Sequence, residues 1–302
     1  KLAEGGPAFA KLGVFSSFNH PPSTLHLSAQ PGAALKRKTL MSHALDSIEK
    51  QEKSLICPTY ARYPLFIERG QGNRLYGPDG REFVDFLSGI AVCNLGHCHP
   101  DITRTIQEQC ARLVHTSNLF YEQNQLNLAE RLLKTCSLDR VFFCNSGAEA
   151  NEAAIKIARR YMHMVRKEDR HEIVTLEGSF HGRTLATLTA TGQPKVKEGF
   201  EPLPSGFRIV PYGRIEDMLE AMHDRTAAVL LEIIQGEGGV RLLERDVLLS
   251  LEQACQKRGI LFMIDEVQTG MGRTGAMWAH QHYGLSPDVM TTAKALANGL
   301  PM

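Results

Sequence analysis

The sequence has 302 residues, and its 34 basic side chains almost balance its 33 acidic ones, which gives a formal net charge of +1. A near-neutral chain has no overall field that attracts nucleic acid or an acidic membrane surface, so we expect small molecules as partners and neither nucleic acid nor membrane. Every apolar run is far shorter than the about 20 residues that a membrane-spanning helix needs. Hydrophobic residues make up 43% of the chain, enough for one large domain and part of a second.

Residues 1–40 contain a single acidic residue, Glu4, and show neither helical nor strand periodicity. This composition predicts a disordered or extraneous leader. A transit peptide for an organelle is the alternative, because such peptides are also poor in acids and rich in serine.

Seven cysteines are scattered along the chain, mostly inside apolar segments. An odd number without regular spacing is typical of unpaired, buried thiols in a reducing compartment. We therefore expect no disulfide framework and a cytoplasmic location, or an organelle if the leader is a transit peptide.

The first predicted elements are short extended segments between residues 55 and 92, separated by turn signals at 70–73 and 77–80. Gly, Asn, Pro and Asp at such positions predict tight turns between antiparallel strands. Residues 41–95 are interpreted as the N-terminal segment of a small domain.

After Pro100 the pattern changes to apolar runs that do not alternate with polar residues, which predicts strands covered on both faces. The runs are 141–144, 173–176, 228–234 and 260–264. Amphipathic segments predict helices near 101–115, 124–135, 148–165, 215–223 and 246–258, the last ended by Gly259. Repeated strand and helix units over 96–302 predict an α/β domain built on a mainly parallel sheet.

Residues 145–152, Asn-Ser-Gly-Ala-Glu-Ala-Asn-Glu, follow the first apolar run and begin a predicted helix. Free N–H groups and the helix dipole at such a point attract an anion such as phosphate, and Gly147 allows close approach. Ser146 and Glu149 also form a capping box that needs no ligand, so both interpretations stay open.

The run at 260–264 delivers Asp265 to the end of a predicted buried strand. Ligands bind at that edge of an open α/β sheet, and a buried carboxylate needs a partner there. A protonated cofactor ring nitrogen, a metal ion and a helix cap are all consistent with Asp265 alone.

Two further motifs carry candidate chemistry. Lys294 lies in a small, apolar setting, where desolvation favours the neutral amine that imine formation needs, although a lone lysine is usually solvated. Residues 178–184 present Phe180 and Arg183 together, one able to stack on a flat cofactor and the other to bind a carboxylate; separately, these residue types are more often core and surface residues.

Other motifs are weaker. Residues 96–100, Gly-His-Cys-His-Pro, crowd three candidate metal ligands into consecutive positions, which favours a turn over a zinc site, so no metal is predicted. Residues 235–239 match a dinucleotide-binding fingerprint only loosely, so a nicotinamide oxidoreductase is a distant alternative.

Taken in order, the motifs at 145–152, 180–184, 232–239, 265–275 and 293–296 resemble the class III aminotransferases, and among them the acetylornithine type. The resemblance runs from about residue 60 to 302. It implies the large domain of the fold type I transferases that depend on pyridoxal 5'-phosphate (PLP), and a homodimer at full length.

The resemblance also implies a role for each site residue. Lys294 would hold PLP as a Schiff base and move protons as the catalytic residue. The ring and phosphate would be held by residues of three motifs: Ser146, Gly147, Ala148, Phe180, Asp265, Glu266, Val267 and Gln268. Arg183 and Glu232 would serve the substrate, Arg183 by binding a carboxylate and Glu232 by gating a second arginine.

The substrate expected from this resemblance is N-acetylornithine, with 2-oxoglutarate as amino acceptor. Relatives that use ornithine usually carry Trp and Tyr where this chain has His181 and Ile90. Succinylornithine, ornithine and 4-aminobutyrate are the alternative donors.

The sequence departs from the family at two points. Ile233 replaces a usual proline. Family members also continue well beyond the lysine, through a C-terminal domain that holds the second arginine, so an inactive PLP-binding fragment is a further alternative.

Overall fold

The computed structural model describes residues 45–301. The chain divides into two units, the first ending at Asp85 and the second beginning at Phe86. The predicted leader at 1–40 lies outside the described residues.

The expected domain division after residue 95 stays a prediction. Residues 94–96 bond to other residues of the second unit. The Asn94 side chain donates to the Met271 carbonyl oxygen, and the Asn298 side chain accepts from Leu95 N–H and donates to the Gly96 carbonyl oxygen.

The first unit contains a helix at 45–55, here α1, followed by three short strands. They are β1 (Arg69–Gln71), β2 (Arg74–Tyr76) and β3 (Glu82–Val84), and they form an antiparallel sheet in that order. The β1–β2 turn passes through Gly72, whose φ of 54° lies in the left-handed region that glycine adopts without strain. The predicted antiparallel unit is confirmed.

The second unit is an α/β domain around a five-stranded parallel sheet with the strand order β10-β9-β6-β4-β5. These strands are β4 (Glu172–Leu176), β5 (Phe207–Val210), β6 (Thr226–Leu231), β9 (Leu261–Asp265) and β10 (Val289–Thr291). A two-stranded hairpin joins β7 (Ile234–Gln235) to β8 (Arg241–Leu242). The predicted parallel-sheet fold is confirmed, and β10 forms one edge of the sheet.

The helices of the second unit begin with α2 (Ser88–Ala91), a single turn with left-handed backbone angles. The others are α3 (Pro100–Cys110), α4 (Gln123–Leu133), α5 (Gly147–Arg160), α6 (Leu185–Ala190), α7 (Ile215–Ala221) and α8 (Arg245–Arg258). A π-helix at Tyr161–Arg166 extends α5, and Gly259 ends α8 with a left-handed φ of 64°, as predicted.

The sheet is covered on both faces because consecutive strand residues point to opposite sides. In β6, Leu230 packs with Ile155 of α5 on one face, while Leu231 packs with Met218 of α7 and Leu248 of α8 on the other. This explains why the central strands appear in the sequence as continuous apolar runs.

Some predicted elements differ from the structure. The run at 141–144 is not a strand; its residues line a groove beside β10 and pair with no described strand, and a β-strand requires such pairing. The run at 228–234 leaves the sheet after Leu231. Several elements had not been predicted. The helices α1 and α2 are among them, and so are α6, β5 and β10. Of the last three, β5 is half exposed, and β10 and α6 are too short to show a period.

The cysteines are less buried than expected. Cys255 is buried in the core, whereas Cys57, Cys98 and Cys110 are exposed. Between residues 45 and 301, no helix is long and apolar enough to cross a membrane.

Gly192 is required by the close contact between its backbone and the end of β4. A methyl group there would lie 2.0 Å from the Leu176 carbonyl oxygen, and the Gly192 N–H and C=O bond to Ser179 and Gly178.

We predict that Gly192→Ala lowers the free energy of unfolding by about 3 kcal/mol, measured by urea denaturation. Gly213→Ala, at an open position with positive φ, is the control and should cost about 1 kcal/mol. Equal losses in the two variants would contradict the assignment.

Candidate active site

The candidate residues follow the carboxyl ends of four parallel strands. Phe180 follows β4, Glu232 follows β6, Asp265 ends β9, and Lys294 lies shortly after β10. Parallel strands present these ends at one edge of the sheet, where α/β proteins bind ligands.

Gly147 brings three of the predicted motifs into contact. A methyl group on Gly147 would lie 2.7 Å from Val267 Cγ1 and 3.5 Å from Ala293 Cβ. The helix start at 147, the strand end at 265 and the lysine at 294 therefore surround one place in the fold. Glycine is the residue that this close packing accepts.

The N-terminus of α5 has a partly used set of hydrogen-bond donors. Ser146 Oγ accepts from Glu149 N–H at 3.1 Å, and the Glu149 carboxylate accepts from Asn145 N–H at 2.7 Å. The capping interpretation is thus correct for Ser146 Oγ. The N–H groups of Gly147 and Ala148, in the first helical turn, have no intrahelical acceptor and suit an anion.

Asp265 is 3% exposed and its carboxylate accepts three hydrogen bonds. Oδ2 receives Asn151 Nδ2 at 2.7 Å and His181 Nδ1 at 2.8 Å, and Oδ1 receives Val267 N–H at 3.0 Å. Donors of this kind stabilise an ionised carboxylate in a buried place.

Lys294 is half-buried at the same place, with a left-handed φ of 49°. Burial lowers the pKa of the Lys294 ammonium below its ordinary value, and attraction by Asp265, Glu237 and Glu232 opposes that shift in part. A larger share of neutral amine favours nucleophilic attack on a carbonyl.

Glu232 is buried near Asp265 and Lys294, and its Oε2 accepts from Phe180 N–H at 2.9 Å. Burial raises the pKa of Glu232 to about 7, Asp265 contributes in the same direction, and His181 opposes the shift. Glu232 therefore holds the loop that carries Phe180.

Phe180 and Arg183 lie together, with the guanidinium carbon 5.6 Å from the centre of the ring. Phe180 is half-buried, whereas Arg183 is exposed. Gln268 packs on Gly236, where any side chain would collide with its amide.

Glu266 differs from the role expected for it. Its carboxylate accepts from His280 N–H at 2.9 Å, His280 Nδ1 at 3.1 Å, Ala279 N–H at 3.0 Å and the Thr269 hydroxyl. Four donors use the acceptor capacity of a carboxylate, so the side chain has none left for a cofactor. We interpret Glu266 as the residue that fixes the loop after β9, while Val267 contributes packing and one N–H.

Sequence reasoning assigned no role to Asn151, although this residue joins three elements. Its Nδ2 donates to Asp265 and, at 2.8 Å, to the His181 carbonyl oxygen, and its Oδ1 accepts from Thr291 Oγ1 at 2.8 Å. The available signal was its place on the buried stripe of α5 with Ala154, Ile155 and Ala158. A polar residue on such a stripe needs a partner.

The weaker motifs have structural roles. His99 Nδ1 accepts from Asp101 N–H at the start of α3, with Pro100 as the first helical residue, which agrees with the predicted turn. The glycines at 236–239 join β7 to β8 and open no helix, so a dinucleotide fingerprint lacks its helix here. Within residues 45–301, no cluster of three or more His, Cys, Asp or Glu side chains is arranged to hold a metal ion.

Comparison with known proteins adds independent information. The family model for class III aminotransferases matches residues 56–302. The chain belongs to the class III aminotransferase family. It is 48% identical over 251 residues to an acetylornithine aminotransferase from Methanocaldococcus jannaschii, covering 83% of this chain and 63% of that protein. The chain thus spans about 63% of the length of that curated relative.

Two solved aminotransferases share the fold. An ornithine aminotransferase from Toxoplasma gondii superposes with a TM-score of 0.82 at 29% identity, covering 90% of this chain and 66% of that one. An N-acetylornithine aminotransferase from Stenotrophomonas maltophilia has a TM-score of 0.69 at 42% identity, covering 80% and 61%. These matches confirm the predicted family and fold.

Class III aminotransferases depend on PLP, and the residues of this member fit that group. PLP has a phosphate, a ring nitrogen and an aldehyde, which require an anion site, an acid and an amine. The helix start at Gly147, the Asp265 carboxylate and the Lys294 amine supply these chemistries around one place. The individual contacts assigned to PLP and substrate stay predictions.

The raised pKa of Glu232 should make the free energy of unfolding of this class III aminotransferase depend on pH when the cofactor is absent. A carboxyl group whose pKa is raised by folding stabilises the fold below its unfolded pKa, and this contribution is lost as the pH rises through about 7. We predict that the stability of the natural chain relative to Glu232→Gln falls between about pH 5 and about pH 8, as measured by urea unfolding. A difference that is constant or rises with pH would contradict the shift.

Proposed function

We propose that the protein transfers the amino group of N-acetylornithine to 2-oxoglutarate, forming N-acetylglutamate semialdehyde and glutamate with PLP as cofactor. The observation that carries the proposal is the meeting of Gly147, Val267 and Ala293, which gathers an anion site, a buried carboxylate and a half-buried lysine. Family membership and the names of the similar relatives support the same reaction.

When bound, PLP draws electrons from the bond that breaks at the amino-bearing carbon of the donor. Asp265, held by three donors, would keep a proton on the ring nitrogen. Lys294 would hold the cofactor and would carry the proton between substrate atoms as general base and acid, helped by the lowered pKa of its ammonium group.

Arg183 is proposed to bind a substrate carboxylate. Its exposed guanidinium offers two parallel N–H groups, the geometry that a carboxylate accepts. Phe180 would stack on the cofactor ring, and Gln268 would reach the ring hydroxyl. Glu232 would gate a second arginine, in residues of the full-length relatives that this chain does not span.

The choice of N-acetylornithine as the donor rests on the resemblance to relatives at positions 181 and 90, where this chain has His181 and Ile90. Ornithine carries a second ammonium group, which must be desolvated on binding, whereas the acetylated donor has a neutral amide there. Succinylornithine, ornithine and 4-aminobutyrate are the other donors within this reaction.

A homodimer is part of the proposal, and so is a cytoplasmic location. Three consecutive apolar residues of the second unit support the dimer, since Leu119, Phe120 and Tyr121 are 85%, 69% and 102% exposed. Exposed apolar patches of this kind mark protein interfaces.

The first test concerns the lysine. We predict that borohydride reduction of the PLP-loaded protein fixes the cofactor on Lys294, identified by peptide mass spectrometry. Lys294→Ala should lower turnover at least about a thousandfold. The matched control is Lys197→Ala. Burial lowers the pKa of Lys197 as well, but its Nζ donates to the Thr189 carbonyl oxygen and lies outside the candidate site. Full turnover in Lys294→Ala would exclude the proposed reaction.

The second test concerns the amino donor. It uses the full-length protein that contains this sequence. We predict that kcat/KM for N-acetylornithine exceeds that for ornithine at least about tenfold, because only ornithine brings the extra charge. Glutamate release is the measurement, with succinylornithine and 4-aminobutyrate as further donors. A preference for ornithine or 4-aminobutyrate would overturn the substrate assignment, and PLP binding without glutamate release from any donor would favour a binding fragment.

A further inference from the structure

The Asp265 carboxylate has one acceptor position left after its protein contacts are counted. A carboxylate accepts about four hydrogen bonds, two on each oxygen. Asn151 and His181 use both positions on Oδ2, and Val267 N–H uses one on Oδ1. The remaining position therefore lies on Oδ1.

The backbone of His181 is held in place by hydrogen bonds on both sides of its side chain. Its N–H donates to Thr191 Oγ1 at 2.9 Å, and its carbonyl oxygen accepts from Asn151. Thr191 Oγ1 in turn donates to the Thr187 carbonyl oxygen at 2.9 Å. The residue is 1% exposed, so the loop and α6 fix its position together.

The hydrogen-bond pattern also assigns the tautomer of His181. A bond from Nδ1 to a carboxylate places the ring proton on Nδ1. His181 Nε2 is buried and has no hydrogen-bond partner in the described part of the chain. Leaving a buried polar atom unpaired costs free energy, so packing alone would favour an apolar ring.

We propose that His181 is a positioning residue for Asp265: its Nδ1–H, together with Asn151, occupies Oδ2 and leaves Oδ1 as the oxygen offered to the ring nitrogen of the cofactor. The assignment rests on the proposed function, since it requires PLP in this site. It gives His181 a role in cofactor electronics that is separate from substrate choice.

Two substitutions separate positioning from packing. In His181→Asn, the amide nitrogen occupies the place of Nδ1 and keeps a donor for Oδ2, but ring volume is lost. In His181→Phe, the ring volume stays and the donor is lost. Positioning requires Asn to behave like the natural residue and Phe to fail, whereas packing requires the reverse order.

The experiment measures PLP affinity and the protonation of the bound ring nitrogen. We predict that His181→Phe raises the Kd for PLP about tenfold and that His181→Asn stays within about threefold of the natural protein. The ¹⁵N shift of labelled PLP should report a protonated ring nitrogen in the natural protein and in His181→Asn. In His181→Phe, the shift should move toward that of the unprotonated ring.

His280 provides the matched control, because its Nδ1 also bonds to a buried carboxylate, Glu266, at 3.1 Å. His280→Phe should lower the free energy of unfolding without moving the ¹⁵N shift. If His181→Phe does not fold, as judged by circular dichroism, His181→Leu replaces it. Leu has about the size of Asn but no donor, so Asn must still bind PLP more tightly than Leu.

Three results would overturn the assignment: normal affinity and shift in His181→Phe, a defect in His181→Asn as large as in His181→Phe or His181→Leu, or a shift that moves equally in His280→Phe. A natural chain that binds no PLP would overturn the proposed function as well, which distinguishes the two failures.

Discussion

The buried carboxylate of Asp265 accepts hydrogen bonds from donors on separate segments, and the rest of the candidate site is arranged around these contacts. Asp265 ends β9, Asn151 lies on α5, and His181 lies on the loop after β4. Removing a charge from water costs several kcal/mol unless hydrogen bonds replace the lost hydration. The parallel direction of the strands makes these contacts possible, because all the carboxyl ends lie on one side of the sheet.

The neighbouring carboxylate of Glu266 satisfies the same requirement with a different result. Its four donors come from the loop that follows it, between Thr269 and His280. The two adjacent carboxylates therefore differ: Asp265 has one hydrogen-bond acceptor position available, and Glu266 has none. A sequence motif that contains both does not separate these roles, because the direction in which each side chain points is decided by the strand pleat.

The sequence predicted features that depend on local pattern. Apolar runs located β4, β6 and β9, and the helix-ending Gly259 was correctly assigned. Features that depend on pairing were not accessible. Residues 141–144 have a strand composition without a strand partner among the described residues, while β10 is a strand of three residues made by its pairing with β9. The motifs identified the candidate residues in the sequence. The contacts of Asn151, however, are with residues 114 and 140 positions away along the chain, and no local pattern predicts such contacts.

The position of β10 at the border of the sheet has a consequence for handling the protein. One side of this strand pairs with β9, and the other side faces the groove lined by residues 141–144. Among residues 45–301, no strand pairs with this other side of β10, and an unpaired strand border is a template on which extended chains add by main-chain bonding. Preparations should therefore form oligomers or precipitate as concentration rises, and short extended peptides that cover this border should improve solubility.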